Sequence, residues 1–282
     1  MKVCLPSEID MQGIGGGWSF TRNFASVMPI ANYNEADIYF IPSSSMIPDT
    51  RLVEAAKADG KKVVLRCDNI VRNSRNRNSG MSRMKTISEM ADLVVFQSKF
   101  AEELLNPYLR TENFVVILNS VDQSIFNDSN RTKSDYGRFM YSKQSSDETK
   151  NWEMARVTYQ LVNQNAPEST LNLVGRFDTN VEQYNFDFYQ NENFKYWGHI
   201  TDPNYMASIY KQSDYFLCSY FNDACSQTII EALSCGLKIM DCFGMSETGG
   251  TPEILDAVEK YGIEFFGLPR MKVDYLAALE KL

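Results

Sequence analysis

Residues 221 to 236 read Phe221-Asn-Asp-Ala-Cys-Ser-Gln-Thr-Ile-Ile-Glu-Ala-Leu-Ser-Cys-Gly236 and follow a short apolar run, Asp214-Tyr-Phe-Leu-Cys218. Such a run is typical of a buried strand. From Thr228 to Cys235 the apolar residues have helical spacing, and Gly236 is the residue type expected just beyond a helix end. The sequence therefore predicts a strand, a loop and a helix in succession, the repeating unit of an α/β domain.

Two carboxylates flank this junction, Asp223 in the loop and Glu231 in the helix, with seven residues between them. A helix N-terminus offers backbone N–H groups and a positive dipole end, so the amides of Ala224, Cys225 and Ser226 are predicted to face a diphosphate. A carboxylate accepts hydrogen bonds from two adjacent hydroxyls, which suits Asp223 for a sugar and Glu231 for a ribose. The alternative is an acid near the helix N-cap and a solvated helix residue.

The composition describes an acidic protein of 282 residues, with 44% hydrophobic residues, a net charge of −8 and a pI near 4.9. This length and hydrophobic content favour about two domains with packed cores. The acidic balance argues against a nucleic-acid partner. The first strand-like run ends at Pro6 and is shorter than the apolar part of a signal peptide, and no apolar run approaches the roughly 18 residues of a membrane span. We expect a cytoplasmic protein.

The cysteines and the histidine predict no metal site. The six cysteines are scattered without a Cys-x2-Cys pair, and His199 is the one histidine in the chain. Most of the cysteines lie in apolar runs, so we expect them to be buried thiols.

Short apolar runs alternate with helix-like segments along the whole chain. Those of the first half are Lys2-Val-Cys-Leu5, Asp37-Ile-Tyr-Phe-Ile41, Lys62-Val-Val-Leu65, Leu93-Val-Val-Phe96 and Phe114-Val-Val-Ile-Leu118. Those of the second half are Arg138-Phe-Met-Tyr141, Thr170-Leu-Asn-Leu-Val174, Phe194-Lys-Tyr-Trp197, Tyr215-Phe-Leu-Cys218, Leu237-Lys-Ile-Met240 and Ile263-Glu-Phe-Phe266. This pattern predicts parallel sheets covered by helices. A polar segment from 120 to about 136 is predicted to link the halves.

The segment from Asp223 to Glu231 resembles the Glu-x7-Glu signature of retaining GT-B glycosyltransferases, especially family four, with Asp in place of the first Glu. Val95-Phe-Gln-Ser-Lys-Phe100 and Val116-Ile-Leu-Asn-Ser-Val-Asp-Gln-Ser-Ile-Phe126 resemble two other stretches of that family, although Ser120 replaces its usual Gly. Because Asp is one methylene shorter than Glu, either the loop moves inward or the bound sugar differs.

The resemblance implies an α/β fold of the GT-B type, with two Rossmann-like βα domains facing each other across a cleft. Residues 1–125 would form the acceptor domain and residues 126–269 the nucleotide-sugar donor domain. The last helix, about 270–282, would cross back to the first domain.

The resemblance also implies donor contacts. Lys143 and Lys150 occupy the positions where the family carries an Arg and a Lys that neutralise the donor diphosphate. The turn formed by Gly198, His199 and Ile200 would face the nucleobase through its main chain, and Arg176 would approach the donor or the solvent.

A glycine-rich loop after the first strand includes Gly15, Gly16 and Gly17, and glycines there let the backbone approach a phosphate or a sugar. Its spacing does not fit Gly-x-Gly-x-x-Gly, which disfavours a dinucleotide site. It resembles the glycine loop that family-four enzymes place between acceptor and donor phosphate; the alternative is a simple tight turn.

The acceptor side departs from the family, whose members often carry a histidine near the reacting sugar. Asp68 and Asn69 stand at the corresponding strand end and are predicted to contact the sugar or accept the acceptor proton, or else to cap a turn. A basic run follows, in which Arg72 and Arg75 would bind a phosphorylated or lipid-linked acceptor or touch an anionic membrane, unless the loop is merely solvated.

The resemblance thus implies a metal-independent retaining glycosyltransferase that needs no cofactor. It would move a hexose from GDP-mannose or, slightly less favoured, UDP-glucose to a glycan, lipid-linked or protein-linked acceptor, as a monomer or a homodimer. Asp223, Lys143, Lys150 and Asp68 would be the catalytic residues. The alternatives are a GT-B sugar-nucleotide epimerase or hydrolase and a nucleotide-sugar binding protein that has lost catalysis.

Overall fold

The computed structural model describes residues 1–7, 9, 11, 13, 15–68, 78–132, 134, 136–144, 148–175 and 192–282, and of residues 78, 79, 143, 144 and 148 only the backbone. Within these ranges the chain forms two compact units. Unit 1 comprises residues 1–121, 224–226 and 253–282, and unit 2 comprises residues 122–223 and 227–252. None of the described helices is long and apolar enough to span a bilayer.

Among the described residues of unit 1, five parallel strands form a sheet in the order in which they occur along the chain. They are β1 (Val3–Cys4), β2 (Ile38–Ile41), β3 (Lys62–Cys67), β4 (Leu93–Phe96) and β5 (Phe114–Val116). Almost every residue of β2, β3 and β4 is buried, as expected for a parallel sheet covered on both faces.

The described part of unit 2 also has five parallel strands in one sheet, but their order is β10-β9-β6-β7-β8. The strands are β6 (Arg138–Gln144), β7 (Thr170–Gly175), β8 (Phe194–Tyr196), β9 (Tyr215–Cys218) and β10 (Lys238–Asp241). The chain starts in the centre at β6, builds one side with β7 and β8, and then returns to build the other side with β9 and β10. This is the doubly wound arrangement of the Rossmann type.

Nine described helices connect and cover these strands. They are α1 (Gly16–Val27), α2 (Arg51–Ala58), α3 (Asn78–Met90), α4 (Lys99–Leu109), α5 (Trp152–Asn165), α6 (Pro203–Lys211), α7 (Gln227–Ser234), α8 (Thr251–Tyr261) and α9 (Leu268–Leu279). Local sequence sets several of their starts: the Ser98 side chain accepts a hydrogen bond from the Ala101 N–H at the start of α4, and Asp202 caps α6 in the same way, with Pro203 in its first turn.

The C-terminal helix α9 packs in unit 1. Its Tyr275 lies against the rings of Phe20, Phe24 and Phe40, and the rings of Phe24 and Phe40 stack with 4.1 Å between centroids. All four side chains are almost completely buried. Aromatic pairs of this kind contribute roughly 0.5–1.5 kcal/mol each beyond their buried area, so this contact holds the helix firmly.

The last segment of unit 1 begins at Glu253. The Glu253 carboxylate accepts hydrogen bonds from the backbone N–H groups of Lys99 (2.7 Å) and Phe100 (2.8 Å) in the first turn of α4. A carboxylate at a helix N-terminus is stabilised by the helix dipole. This contact joins α8 to unit 1.

The predicted strand at Ile263–Phe266 is a 3-10 helix instead. Gly262 precedes it with φ 79°, and the Gly267 N–H donates to the Glu264 carbonyl at 3.0 Å. Four apolar residues between two glycines do not distinguish a strand from a turn by periodicity alone.

Candidate functional site

In the doubly wound sheet of unit 2 the order of the strands reverses between β6 and β9, which are parallel neighbours in the sheet. In open α/β sheets, ligands bind beyond the carboxyl ends of the strands at such a reversal, because the two connecting loops leave toward opposite faces. The residues after β6 and after β9 therefore define the candidate site.

A lysine and an aspartate meet at this place. Lys150 ends the 3-10 turn Glu148–Lys150 that follows β6, and Asp223 lies in the loop after β9. The Lys150 Nζ lies 2.9 Å from the Asp223 Oδ2, and the two side chains are only 11% and 14% exposed. Partial burial lowers the local dielectric, which strengthens the field that both charges exert on a ligand. The structure thus joins two of the predicted catalytic residues.

The main chain and the side chain of Lys150 are both held in place. Its carbonyl accepts hydrogen bonds from the Tyr141 hydroxyl (2.5 Å) and from the Ser219 hydroxyl (2.9 Å). Its ammonium group lies 5.5 Å from the centroid of the Tyr220 ring, within the range of a cation–π contact. Sequence reasoning did not find Tyr220, because an aromatic residue after an apolar strand has the pattern of a core residue.

Two glycines, Gly249 and Gly250, contact the backbone of Asp223. The Gly250 N–H donates to the Asp223 carbonyl at 2.8 Å. Gly249 has φ 66°, and a Cβ at this position would lie 2.6 Å from the same carbonyl oxygen. Only glycine permits both this backbone conformation and this approach.

Glu231 lies in α7 and is only 8% exposed. The Tyr210 hydroxyl lies 3.3 Å from its Oε2. The burial rules out the alternative of a solvated helix residue. A carboxylate is kept in such a place only when hydrogen bonds compensate its desolvation.

The loop residues Ala224, Cys225 and Ser226 are buried and belong to unit 1. The Asn119 side-chain amide donates to the Cys225 carbonyl at 2.8 Å, and the Asn119 N–H lies 3.4 Å from the Cys225 Sγ. Ala224 packs against Ala101. These contacts hold the loop in place.

In unit 1 the predicted glycine loop lies at the start of α1. Gly15 is the N-cap residue with φ 118°, and Gly16 and Gly17 open the helix. A Cβ on Gly17 would lie 3.2 Å from the Asp68 Oδ2, so the structure places this carboxylate beside the first turn of α1. The positive end of the helix dipole favours a negative charge there.

For the remaining predicted residues the structure gives fewer contacts, or the residues lie outside the described ranges. Gly198 has φ 70°, and its carbonyl accepts a hydrogen bond from the Gly175 N–H at 3.0 Å. The neighbouring His199 is exposed and Ile200 is half-buried. Lys143 lies in β6, where only its backbone is described. Arg176, Asn69, Arg72 and Arg75 lie outside the described residues.

All six cysteines are buried free thiols, which confirms the expectation from the sequence for most of them. Burial raises the pKa of Cys235 to about 12 and that of Cys242 to about 11, so these thiols stay protonated and unreactive. The described residues contain no group of three or more His, Cys, Asp or Glu side chains arranged to hold a metal ion.

No protein-family model and no curated protein matches the sequence, but solved structures do. HepE from Anabaena, in complex with UDP and glucose, has a TM-score of 0.70 at 13% identity. The alignment includes 100% of this chain and 99% of HepE. Sucrose-phosphate synthase from Thermosynechococcus elongatus has a TM-score of 0.64 at 13% identity, with 87% of this chain covering 73% of that one.

A third similar structure, a glycosyltransferase from Rickettsia africae, has a TM-score of 0.62 at 16% identity, with 88% of this chain covering 77% of that one. These similar structures are GT-B glycosyltransferases. The fold is GT-B. The α/β class and the GT-B fold predicted from the sequence are therefore confirmed. Identities of this size show the GT-B fold alone.

Proposed function

We propose that this chain is a retaining glycosyltransferase, which moves a hexose from a nucleoside diphosphate sugar to an acceptor hydroxyl. The observation that carries the proposal is the ion pair of Lys150 and Asp223 at the reversal point of the unit 2 sheet. The GT-B proteins of similar structure include HepE in complex with UDP-glucose, which supports a nucleotide sugar as the donor.

Each of three residues has a distinct task in this proposal. Lys150 neutralises the donor diphosphate, whose negative charge grows as the bond to the sugar breaks. A fixed cation at such a place accelerates a reaction by roughly 10²–10³-fold. Asp223 accepts hydrogen bonds from hydroxyls of the transferred sugar, and Glu231 accepts them from the ribose.

The ion pair defines the state of the site before the donor arrives. Lys150 Nζ carries three N–H donors and directs one of them at Asp223, so it can hold Asp223 and a phosphate oxygen together. Asp223 in turn keeps the ammonium group from swinging into solvent. Binding of the diphosphate then needs no large side-chain rearrangement at Lys150, which lowers the entropic cost.

The reaction needs no metal ion or cofactor in this proposal, since Lys150, Lys143 and the N-terminal end of α7 supply the positive potential. The bond from the anomeric carbon to the phosphate oxygen breaks, and the acceptor oxygen forms its bond on the same face of the sugar. The acceptor proton passes to the leaving phosphate oxygen. Unit 1 binds the acceptor, with Asp68, Asn69, Arg72 and Arg75 as the proposed contacts.

The proposal is tested by calorimetric titration of the protein with UDP-glucose, GDP-mannose, UDP and GDP in the presence of a chelator. Micromolar binding of one donor, lost in Glu231→Ala, is expected. The GT-B structures with UDP make UDP-glucose the first donor to test. If neither donor nor diphosphate binds, the proposal is wrong.

A second candidate is a nucleotide-sugar binding protein without transferase activity. It is favoured by the short side chain of Asp223, which is already held by Lys150 at 2.9 Å. The two candidates differ in turnover: a transferase also hydrolyses its donor slowly when no acceptor is present. Donor binding without any release of the free diphosphate would support the second candidate.

A further inference from the structure

Tyr210 lies in α6 and is completely buried in unit 2, directly against Glu231. Its hydroxyl lies 3.3 Å from the Glu231 Oε2, 3.3 Å from the Ser142 Oγ and 3.4 Å from the Thr228 carbonyl. The hydroxyl thus meets groups from β6 and from two positions of α7. Glu231, which the sequence predicts to bind the ribose, belongs to this cluster.

The direction of the hydrogen bonds follows from counting protons. A phenol has one proton, and among its neighbours the Glu231 carboxylate is the strongest acceptor because it is charged. The Ser142 hydroxyl carries its own proton and can donate it to the phenol oxygen. The result is a chain of hydrogen bonds from Ser142 to Tyr210 to Glu231. Burial first, and the Glu231 charge second, raise the pKa of Tyr210 well above its usual value, so the phenol keeps its proton.

A second tyrosine fixes the surroundings of this chain. The Tyr220 hydroxyl donates to the Ser142 carbonyl at 2.7 Å, and the Thr228 hydroxyl lies 3.4 Å from the Tyr220 hydroxyl. Tyr220 is 1% exposed. Tyr220 thus contacts β6 and the first turn of α7, the two elements that also contact the Tyr210 hydroxyl.

We propose that Tyr210 is a positioning residue for Glu231: it holds one carboxylate oxygen, and thereby sets how strongly the site distinguishes a ribose from a ribose that lacks a hydroxyl. This inference rests on the proposed function, in which Glu231 binds the ribose. A glutamate side chain has several rotamers, and fixing it before the ligand binds removes part of the entropic cost of binding.

The test compares the affinities for UDP and 2′-deoxy-UDP, or for GDP and 2′-deoxy-GDP if the guanine nucleotide is the one that binds. Wild-type protein is expected to bind the ribose form at least about ten-fold more tightly, as a hydrogen bond to a carboxylate allows. In Tyr210→Phe the ratio of the two affinities is expected to fall at least about three-fold, because a loosely held carboxylate distinguishes the two sugars less well.

The matched control is Tyr159→Phe. Tyr159 is also a buried tyrosine of unit 2, and its hydroxyl donates to the Ser169 carbonyl at 2.9 Å, within a contact that does not include Glu231. Loss of the Tyr159 hydroxyl is expected to change the stability of the protein but not the ratio of the affinities for the two nucleotides. In a Glu231→Gln background, Tyr210→Phe is expected to have no further effect on the ratio, which is the mark of two residues that act together.

The outcomes separate the inference from the proposed function. A wild-type ratio in folded Tyr210→Phe, or an equal loss of affinity for both nucleotides, would overturn the inference and leave the proposed function standing. Absence of any nucleotide binding by the wild-type protein would overturn both. Should Tyr210→Phe not fold, Ser142→Ala tests the same chain, and a ratio unchanged in that variant contradicts the inference.

Discussion

The carboxyl edges of the two sheets, where the parallel strands end, are built from different side chains. In unit 1 the edge is closed by a buried network: Arg66 donates to the Pro42 carbonyl and to Asn119, and the Asn119 amide donates to Gln97. In unit 2 the edge carries Lys150 and Asp223, which are less buried and oppositely charged. The described edge of unit 2 thus pairs two opposite charges, whereas the network at the edge of unit 1 pairs a buried arginine with neutral acceptors.

The amino edges of the two sheets, by contrast, are alike. Asp92 precedes β4 and accepts hydrogen bonds from the Val63 N–H and from Lys57, while Asp214 precedes β9 and accepts them from the N–H and the guanidinium of Arg138. In each sheet an aspartate at the start of one strand thus holds the start of its neighbour. The two units thus share a stabilising contact at their amino edges and differ in the side chains at their carboxyl edges.

The largest effect is expected at the charged edge of unit 2. Lys150→Met should lower the kcat of sugar transfer about 10²–10³-fold, because the leaving diphosphate loses its cation. Steady-state kinetics with the donor identified by titration measures this loss. The matched control is Lys57→Met in unit 1, since its ion pair with Asp92 has a similar length of 2.8 Å. Equal kcat values in both variants would show that the charge of Lys150 does not contribute to transfer.

A smaller effect, on stability rather than on catalysis, is expected from Arg66→Met. Arg66 is 1% exposed and its guanidinium lies 3.6 Å from the centre of the Phe20 ring, so its loss leaves buried acceptors without a donor. The free energy of unfolding in urea should fall by about 3 kcal/mol. Arg51→Met serves as the control, because the Arg51 side chain is 83% exposed. A loss no greater than that of the control would contradict a structural role for the network.

Gly249→Ala should destabilise unit 2 by about 1–3 kcal/mol and weaken donor binding, because the new Cβ displaces the Asp223 backbone. Gly60→Ala in unit 1 is the matched control: Gly60 has φ 75°, but a Cβ there meets no atom within 4 Å. The control isolates the backbone strain that both variants share. Urea unfolding and calorimetry measure the two effects, and equal results in the two variants would refute the close approach as their cause.

The smallest effect concerns pH and tests the likeness of the amino edges. Burial would raise the pKa of Asp214, but the hydrogen bonds and the charge of Arg138 outweigh it and lower the pKa; for Asp92, Lys57 and the Val63 N–H do the same. A lowered pKa in the folded state means that stability is present above the unfolded value, about 3.9, and is lost as the pH falls below it.

Asp214→Asn and Asp92→Asn should therefore both be less stable than the wild-type protein at pH 7, and the difference should shrink below about pH 4. Urea unfolding at pH 7, 5 and 3 measures it. A difference that stays constant across this range in either variant would show that the carboxylate charge does not contribute there.

Local patterns were sufficient to predict most of the strands and the junction that carries Asp223 and Glu231. Apolar runs such as that of β9 and a glycine beyond a helix end depend on neighbouring residues only. The same reasoning was wrong at Ile263–Phe266, where four apolar residues form a 3-10 helix between glycines. It also missed Tyr210 and Tyr220, since a buried tyrosine that holds a charged residue has the same sequence pattern as one that fills a core.

The sequence by itself determined the α/β class, the positions of the parallel strands and the residue types at their ends, because side-chain periodicity and turn chemistry are local. The tertiary structure alone decided that the strand order reverses in unit 2 and not among the described strands of unit 1, and that Lys150 and Asp223 meet. Strand pairing joins residues as distant as Phe139 and Tyr215, and such contacts depend on how the whole chain packs rather than on any single segment.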